Sequence, residues 1–298
     1  MNNFEYFAPK TIREAVAVLK AHPKGMVLAG GTDMLVRMKA RVWEPDAVID
    51  VKRISGMDEL KFNRKTGLSI GAGVTMRQIE LSEDAHTHFP GLAQGASLVG
   101  SFQIRNLATV VGNICNAAPS AETAPGLIVL GARLNIAGPS GRRSMLVENF
   151  IEGPGKTALR SGEFVTGIQV PMTGNRTGSA YVRHTPRRAM DIAMVGVGAA
   201  VTLAPRTGFC LYAKIVMGAV APIPLRARAA EKLMKGKTPT DDLFEAVGEV
   251  AAQESKPISD VRGSAEFRRK MAGVLTGRMV KAAVENAMQR SGNKRRAA

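Results

Sequence analysis

Between Thr109 and Glu122 the chain sets a hydroxyl (Thr109), a glycine (Gly112), two amides (Asn113, Asn116) and a carboxylate (Glu122) among small side chains. Small residues let backbone N–H groups approach a ligand closely. Clustered N–H groups and a hydroxyl are the means by which proteins hold phosphate. A carboxylate beyond them accepts hydrogen bonds from a ribose or from ring nitrogens. A second turn of this type, Leu28-Ala29-Gly30-Gly31-Thr32-Asp33, lies about 80 residues upstream. Two phosphate-type turns in one chain point to one dinucleotide held from two sides.

The elements that must carry these turns are legible as patterns. Residues 26–29 read as a short buried strand running into Gly30-Gly31, and Thr32 and Asp33 are expected to cap a helix over 34–40. Upstream, Thr11 with Glu14 three residues later is a capping box for a helix over 11–20. Strands are expected at 47–51, 68–72, 134–136 and 164–170, the last stopped by Pro171. Thr75 caps a helix over 76–81, and helices follow at 90–98 and 127–131. Residues 54–60 read as a connection and 172–178 as a polar linker. Beyond it the pattern changes: strands at 181–183, 195–203 and 210–217 predict a three-stranded antiparallel sheet, and helices follow at 227–233, 241–254 and 267–289. Strands followed by helices indicate an α+β module rather than an alternating βαβ fold. The G-x-G-x-x-G dinucleotide fingerprint is absent, because Gly71-Ala72-Gly73 continues as Val74-Thr75-Met76.

Composition bounds the rest. At 298 residues and 45% hydrophobic, the chain is a folded globular protein with room for two or three subdomains. No apolar run reaches the ~18–20 residues of a membrane span, and the first twenty residues do not read as a signal peptide, so a cytoplasmic location is the default expectation. The two cysteines, Cys115 and Cys210, are far too few for a structural zinc or iron–sulfur site in this chain. They are expected to be reduced thiols. His22, His86, His88 and His184 form no ligand-spaced set, and no metal site or catalytic acid–base residue is expected. The net charge of +16 fits a solvated basic face or an acidic partner; with aromatics at 5%, nucleic-acid binding is not expected.

Taken together, Ala29-Gly30-Gly31-Thr32-Asp33, Gln103-Ile104-Arg105-Asn106, Thr109 to Pro119, Arg187-Arg188-Ala189-Met190-Asp191-Ile192-Ala193 and Phe267-Arg268-Arg269-Lys270-Met271-Ala272 resemble the FAD-binding medium subunits of the molybdenum hydroxylases, the xanthine dehydrogenase and carbon monoxide dehydrogenase family. The resemblance covers almost the whole chain. It implies an α+β fold: a two-lobed FAD-binding domain of the vanillyl-alcohol-oxidase (PCMH) type and a C-terminal domain. The expected division is 1–56 and 57–175 for the two FAD-binding lobes, 178–288 for the C-terminal domain, and 289–298 for a basic tail.

The resemblance also implies site residues. Met26, Val27, Leu28, Ala29, Gly30, Gly31, Thr32 and Asp33 would wrap the pyrophosphate and its sugar. Ala108 and Thr109 would meet the second phosphate side, beside Gly112 and Asn113. Glu122 matches an acidic position on the adenosine or ribitol portion. Val99 and Val165 match apolar cofactor contacts, Cys115 falls where an apolar residue often sits near the flavin ring, and Arg183 matches a basic position near that ring. Where the family commonly has two glycines before the asparagine, this chain has Val111-Gly112.

The function implied is electron transfer by non-covalent FAD within a heterotrimer. A large partner subunit would carry the molybdenum cofactor and oxidise the substrate; a small one would carry [2Fe-2S] clusters that pass electrons through FAD to an external acceptor. A dimer of heterotrimers is the implied assembly. A stand-alone flavin reductase or oxidase of the same fold is the alternative.

Overall fold

Thr11 caps the first helix as its spacing predicts, its hydroxyl accepting from the Glu14 N–H at 3.1 Å; the Glu14 carboxylate, however, accepts from the Lys10 N–H at 2.8 Å, one residue before the position that closes a capping box. The computed structural model describes residues 1–187 and 189–292. Its first part is β1 (Glu5–Phe7), α1 (Ile12–Ala21), β2 (Met26–Leu28), α2 (Met34–Lys39) and β3 (Ala47–Asp50). The three strands form a parallel sheet in the order β1-β3-β2. Every residue of the central strand is buried, which is what parallel pairing under a covering helix requires. In such a sheet all carboxyl ends lie on one side, where ligands bind, and the 29–33 turn leaves β2 there.

Asp33 occupies the N-cap of α2 but makes no side-chain cap hydrogen bond. The expected capping is therefore not made: its backbone is already helical, so its carboxylate does not reach the following N–H groups.

The second part runs β4 (Leu60–Asn63), β5 (Gly67–Gly71), α3 (Met76–Leu81), α4 (Glu83–His88), α5 (Pro90–Ser97), α6 (Phe102–Arg105), α7 (Val110–Cys115), α8 (Thr123–Val129), β6 (Arg133–Gly138), β7 (Gly141–Leu146), β8 (Ile151–Gly153), β9 (Lys156–Thr157) and β10 (Phe164–Val170). An antiparallel sheet in the order β4-β5-β10-β6-β7 carries the core, with Leu68, Ile70, Leu134, Phe164 and Ile168 packed on Phe89 and Phe150. Thr75 and Gln78 form the capping box of α3. The strand β4 replaces the end of the expected connection.

The third part is β11 (Thr177–His184), β12 (Val195–Leu203), β13 (Cys210–Gly218), β14 (Leu225–Arg226), α9 (Arg228–Met234), α10 (Asp241–Glu254) and α11 (Ala265–Gly292). The three long strands pair antiparallel, and β14 adds a fourth on Val216 and Met217, so the expected three-stranded sheet has four strands. Thr177 and Gly178, expected in the linker, are buried in β11. There α11 packs so closely that a Cβ on Gly178 would lie 2.2 Å from the Ala283 carbonyl oxygen. Of the expected basic tail over 289–298, residues 289–292 end α11; the rest, with Lys294-Arg295-Arg296, lies outside the described residues. No helix of the described residues is long and apolar enough to cross a membrane.

Candidate functional site

The two glycine-containing turns meet in space. A Cβ on Gly30 would sit 2.2 Å from the Leu107 carbonyl oxygen and 3.0 Å from the Ala108 Cα, so the first turn lies directly against the second. Gly31 has a φ of +71°, a left-handed conformation in which glycine is unstrained. The facing segment is fixed from behind: Met76 donates to the Ala108 carbonyl at 2.8 Å and Val110 to the Val74 carbonyl at 3.2 Å. Between the turns opens a cleft of about 520 Å³, within the ~300–1,000 Å³ range of cofactor pockets.

Most of the expected residues line it. Met26, Val27, Ala29, Gly30, Gly31, Thr32 and Asp33 form one wall; Val99, Ala108, Thr109, Gly112, Asn113, Cys115 and Val165 form the other. Among the described residues, no hydrogen bond uses the N–H groups of Gly30, Gly31, Thr32 or Asp33, which leaves a row of donors for an anion. Thr109 caps α7, its hydroxyl oxygen accepting from the Gly112 N–H at 3.0 Å. The hydroxyl proton stays available, whereas the Gly112 N–H is already used. Gly112 serves instead by its missing side chain, since a Cβ there would approach the Thr109 hydroxyl to 2.8 Å. The Asn113 carboxamide oxygen accepts from the Thr123 hydroxyl at 2.6 Å, leaving its amide group to donate. A row of free amides, a free hydroxyl proton and a side-chain amide on glycine-shaped walls is a donor set that fits a pyrophosphate.

Three expected residues stand elsewhere. Leu28 packs with Met34, Met38 and Val48 in a small cluster behind the turn. Glu122 and Arg183 do not line the cleft; they pair with each other, Arg183 Nη1 donating to Glu122 Oε1 at 2.5 Å. Burial pushes the Glu122 carboxyl above its ordinary value, and the Arg183 guanidinium pulls it back. Arg183 Nη1 also donates to the Asp191 carbonyl at 3.2 Å. The Asp191 carboxylate orders its own turn, accepting from the N–H groups of Arg187 and Ile192, both at 2.9 Å.

Cys115 faces the cleft with part of its surface open, and its apolar surroundings push the thiol up to about 12. It is therefore a neutral wall residue at physiological pH. His88 stacks on Phe62 with ring centres 4.6 Å apart, and the His86 ring contacts the Glu80 carbonyl; both lie away from the cleft. The lining also includes residues outside the expected site set, among them Glu163, which holds Arg143 at 2.7 Å, and Met190 of the Arg187–Ala193 motif, which has a φ of +51°. Both reach the cleft only through long-range packing.

Comparison with known proteins agrees with this geometry. Residues 2–173 match the FAD binding domain in molybdopterin dehydrogenase, and residues 180–283 match the CO dehydrogenase flavoprotein C-terminal domain. The chain is 30% identical over 280 residues to a xanthine dehydrogenase FAD-binding subunit of Escherichia coli O157:H7, covering 94% of this chain and 95% of that one. It is 32% identical to the carbon monoxide dehydrogenase medium chain of Afipia carboxidovorans, covering 98% and 99%. A solved carbon monoxide dehydrogenase from Hydrogenophaga pseudoflava superimposes with a TM-score of 0.90 at 31% identity, covering 96% of this chain and 98% of that one. This chain belongs to the family of FAD-binding medium subunits of the molybdenum hydroxylases.

Proposed function

We propose that this chain is the flavin-bearing electron-transfer subunit of a heterotrimeric molybdenum hydroxylase. Its partners are a large subunit with the molybdenum cofactor, where substrate is oxidised, and a small subunit with [2Fe-2S] clusters. The assembly is a dimer of such heterotrimers in the cytoplasm, delivering electrons to an external acceptor. Residues 1–56 and 57–175 act as the two lobes around FAD, and 178–288 as the C-terminal domain. The observation that carries this reading is the contact of the two turns, Gly30 against Leu107, with unpaired N–H groups on one side and the Thr109 hydroxyl on the other.

Bound FAD supplies the redox chemistry, and the protein supplies binding, orientation and electrostatics. When FAD is bound, the amides of residues 30–33, the Thr109 hydroxyl and the Asn113 amide would donate to its pyrophosphate. Met26, Val27, Ala29, Val99, Ala108, Cys115 and Val165 line the cleft and would exclude water from it when the cofactor is bound. Glu122 and Arg183 form a buried ion pair outside the cleft lining.

Gly31→Asp tests the assignment. It puts a carboxylate beside the pyrophosphate and a Cβ 2.9 Å from Leu28 Cδ1. The expected result is a folded chain that retains no flavin; unchanged flavin content refutes the site.

A further inference from the structure

We infer that Lys52 is a positioning residue for the 29–33 turn, acting with Asp50 and Tyr6 as a clasp that aims the Gly30 N–H group at the cofactor's phosphates; this rests on the reading of the cleft as a dinucleotide site.

Asp50 ends the central strand of the parallel sheet and is only 7% exposed. A carboxylate so placed must be paired. It accepts from the Tyr6 hydroxyl at 2.7 Å and from the Lys52 N–H at 3.0 Å, and it forms an ion pair with Lys52 Nζ at 2.8 Å. Tyr6 lies in the middle of β1, so this carboxylate ties β1 to the end of β3. Lys52 extends the tie to the third strand: its ammonium also donates to the Ala29 carbonyl at 3.3 Å. Ala29 directly follows the last residue of β2 and begins the glycine turn.

The consequence follows from the peptide bond. The Ala29 carbonyl and the Gly30 N–H share one planar trans peptide and point in opposite directions. Fixing the carbonyl on Lys52 therefore fixes the Gly30 N–H on the far side of that plane. Gly30 lines the cleft, and its N–H has no acceptor among the described residues. The Gly30-Gly31 segment is intrinsically the most pliable part of the wall, so an external restraint on its first peptide sets its shape before the ligand arrives. Lys52 itself does not line the cleft and its side chain is half exposed. Solvent screens its charge, which leaves orientation of the peptide as its main effect.

The test compares the full-length chain with its Lys52→Met and Lys52→Arg variants, titrated with FAD, ADP and riboflavin. Loss of one hydrogen bond that orients a phosphate donor is expected to weaken FAD and ADP about fivefold. Riboflavin, which has no phosphate, should bind Lys52→Met as it binds the wild type. Lys52→Arg keeps the charge and the donor and should stay within about twofold of wild type for all three ligands. Wild-type affinity for FAD and ADP in Lys52→Met overturns the inference. So does an equal loss for all three ligands, which marks general loosening of the fold. A wild-type chain that binds riboflavin but neither ADP nor FAD overturns the dinucleotide reading itself, and this inference with it.

Discussion

Gly30→Ala is the sharpest perturbation of the cleft, because the methyl group has nowhere to go. The added Cβ would lie 2.2 Å from the Leu107 carbonyl oxygen, 2.9 Å from its carbon and 3.0 Å from the Ala108 Cα. A non-bonded carbon and oxygen settle no closer than roughly 3.2 Å, so the walls must part by about 1 Å. All three contacts are backbone, and no rotamer relieves them. The facing segment is also tied in place, with Leu107 and Ala108 both donating to the Ile104 carbonyl and Ala108 accepting from Met76. The glycine turn is therefore the part that moves. Overpacking of this kind costs about 1–3 kcal/mol of stability. Moving the turn also breaks its alignment with the phosphates; losing two charge-assisted hydrogen bonds at about 1.5 kcal/mol each weakens binding roughly 100-fold. Urea unfolding of the apoprotein reads the first effect and fluorescence titration with FAD reads the second. Gly153→Ala is the control, since its Cβ would meet nothing nearer than 3.9 Å. A Gly30→Ala chain that binds FAD within twofold of wild type refutes the claim that the two turns form one site.

Two further outcomes are expected. Glu122→Ala leaves the Arg183 guanidinium, whose side chain is 3% exposed, without its counter-charge; breaking a buried pair in this way costs about 3–5 kcal/mol, and a urea-unfolding loss below 1 kcal/mol contradicts it. Burial, then Arg290 and Arg64, hold the His88 imidazole below its ordinary 6.5, with Asp84 opposing. The unfolded chain thus takes the proton first, so this contribution is complete above pH 6.5 and declines as pH falls below it. His88→Gln should lose less stability than wild type between pH 7.5 and pH 5.5, and equal losses rule out the assignment.

The sequence showed the chemistry of the two turns more clearly than their setting. Strand 164–170 and helix 241–254 are found over their predicted residues, because the Pro171 stop of the first and the Thr240 cap of the second are local signals. The helix Val110–Cys115 was hidden inside what read as a phosphate turn: six residues with a central glycine show no periodicity, and only the Thr109 cap betrays it. Strands β1, β7 and β14 are short or half exposed, and long-range pairing decides them rather than propensity. The same limit applies to the site. The roles proposed for Thr109, Gly31 and Asn113 follow from residue type and spacing. Glu122 and Arg183 are 61 residues apart and pair with each other, and Lys52 meets a carbonyl 23 residues upstream. Neither contact exists until the sheets are assembled.

On the proposed function this chain holds FAD between its two turns and works beside molybdenum and iron–sulfur subunits. The most direct test is the visible spectrum and subunit content of the protein purified with its partners from its native host. Flavin absorption together with iron–sulfur absorption, and two further polypeptides in equal amount, are expected. A preparation without flavin would contradict it.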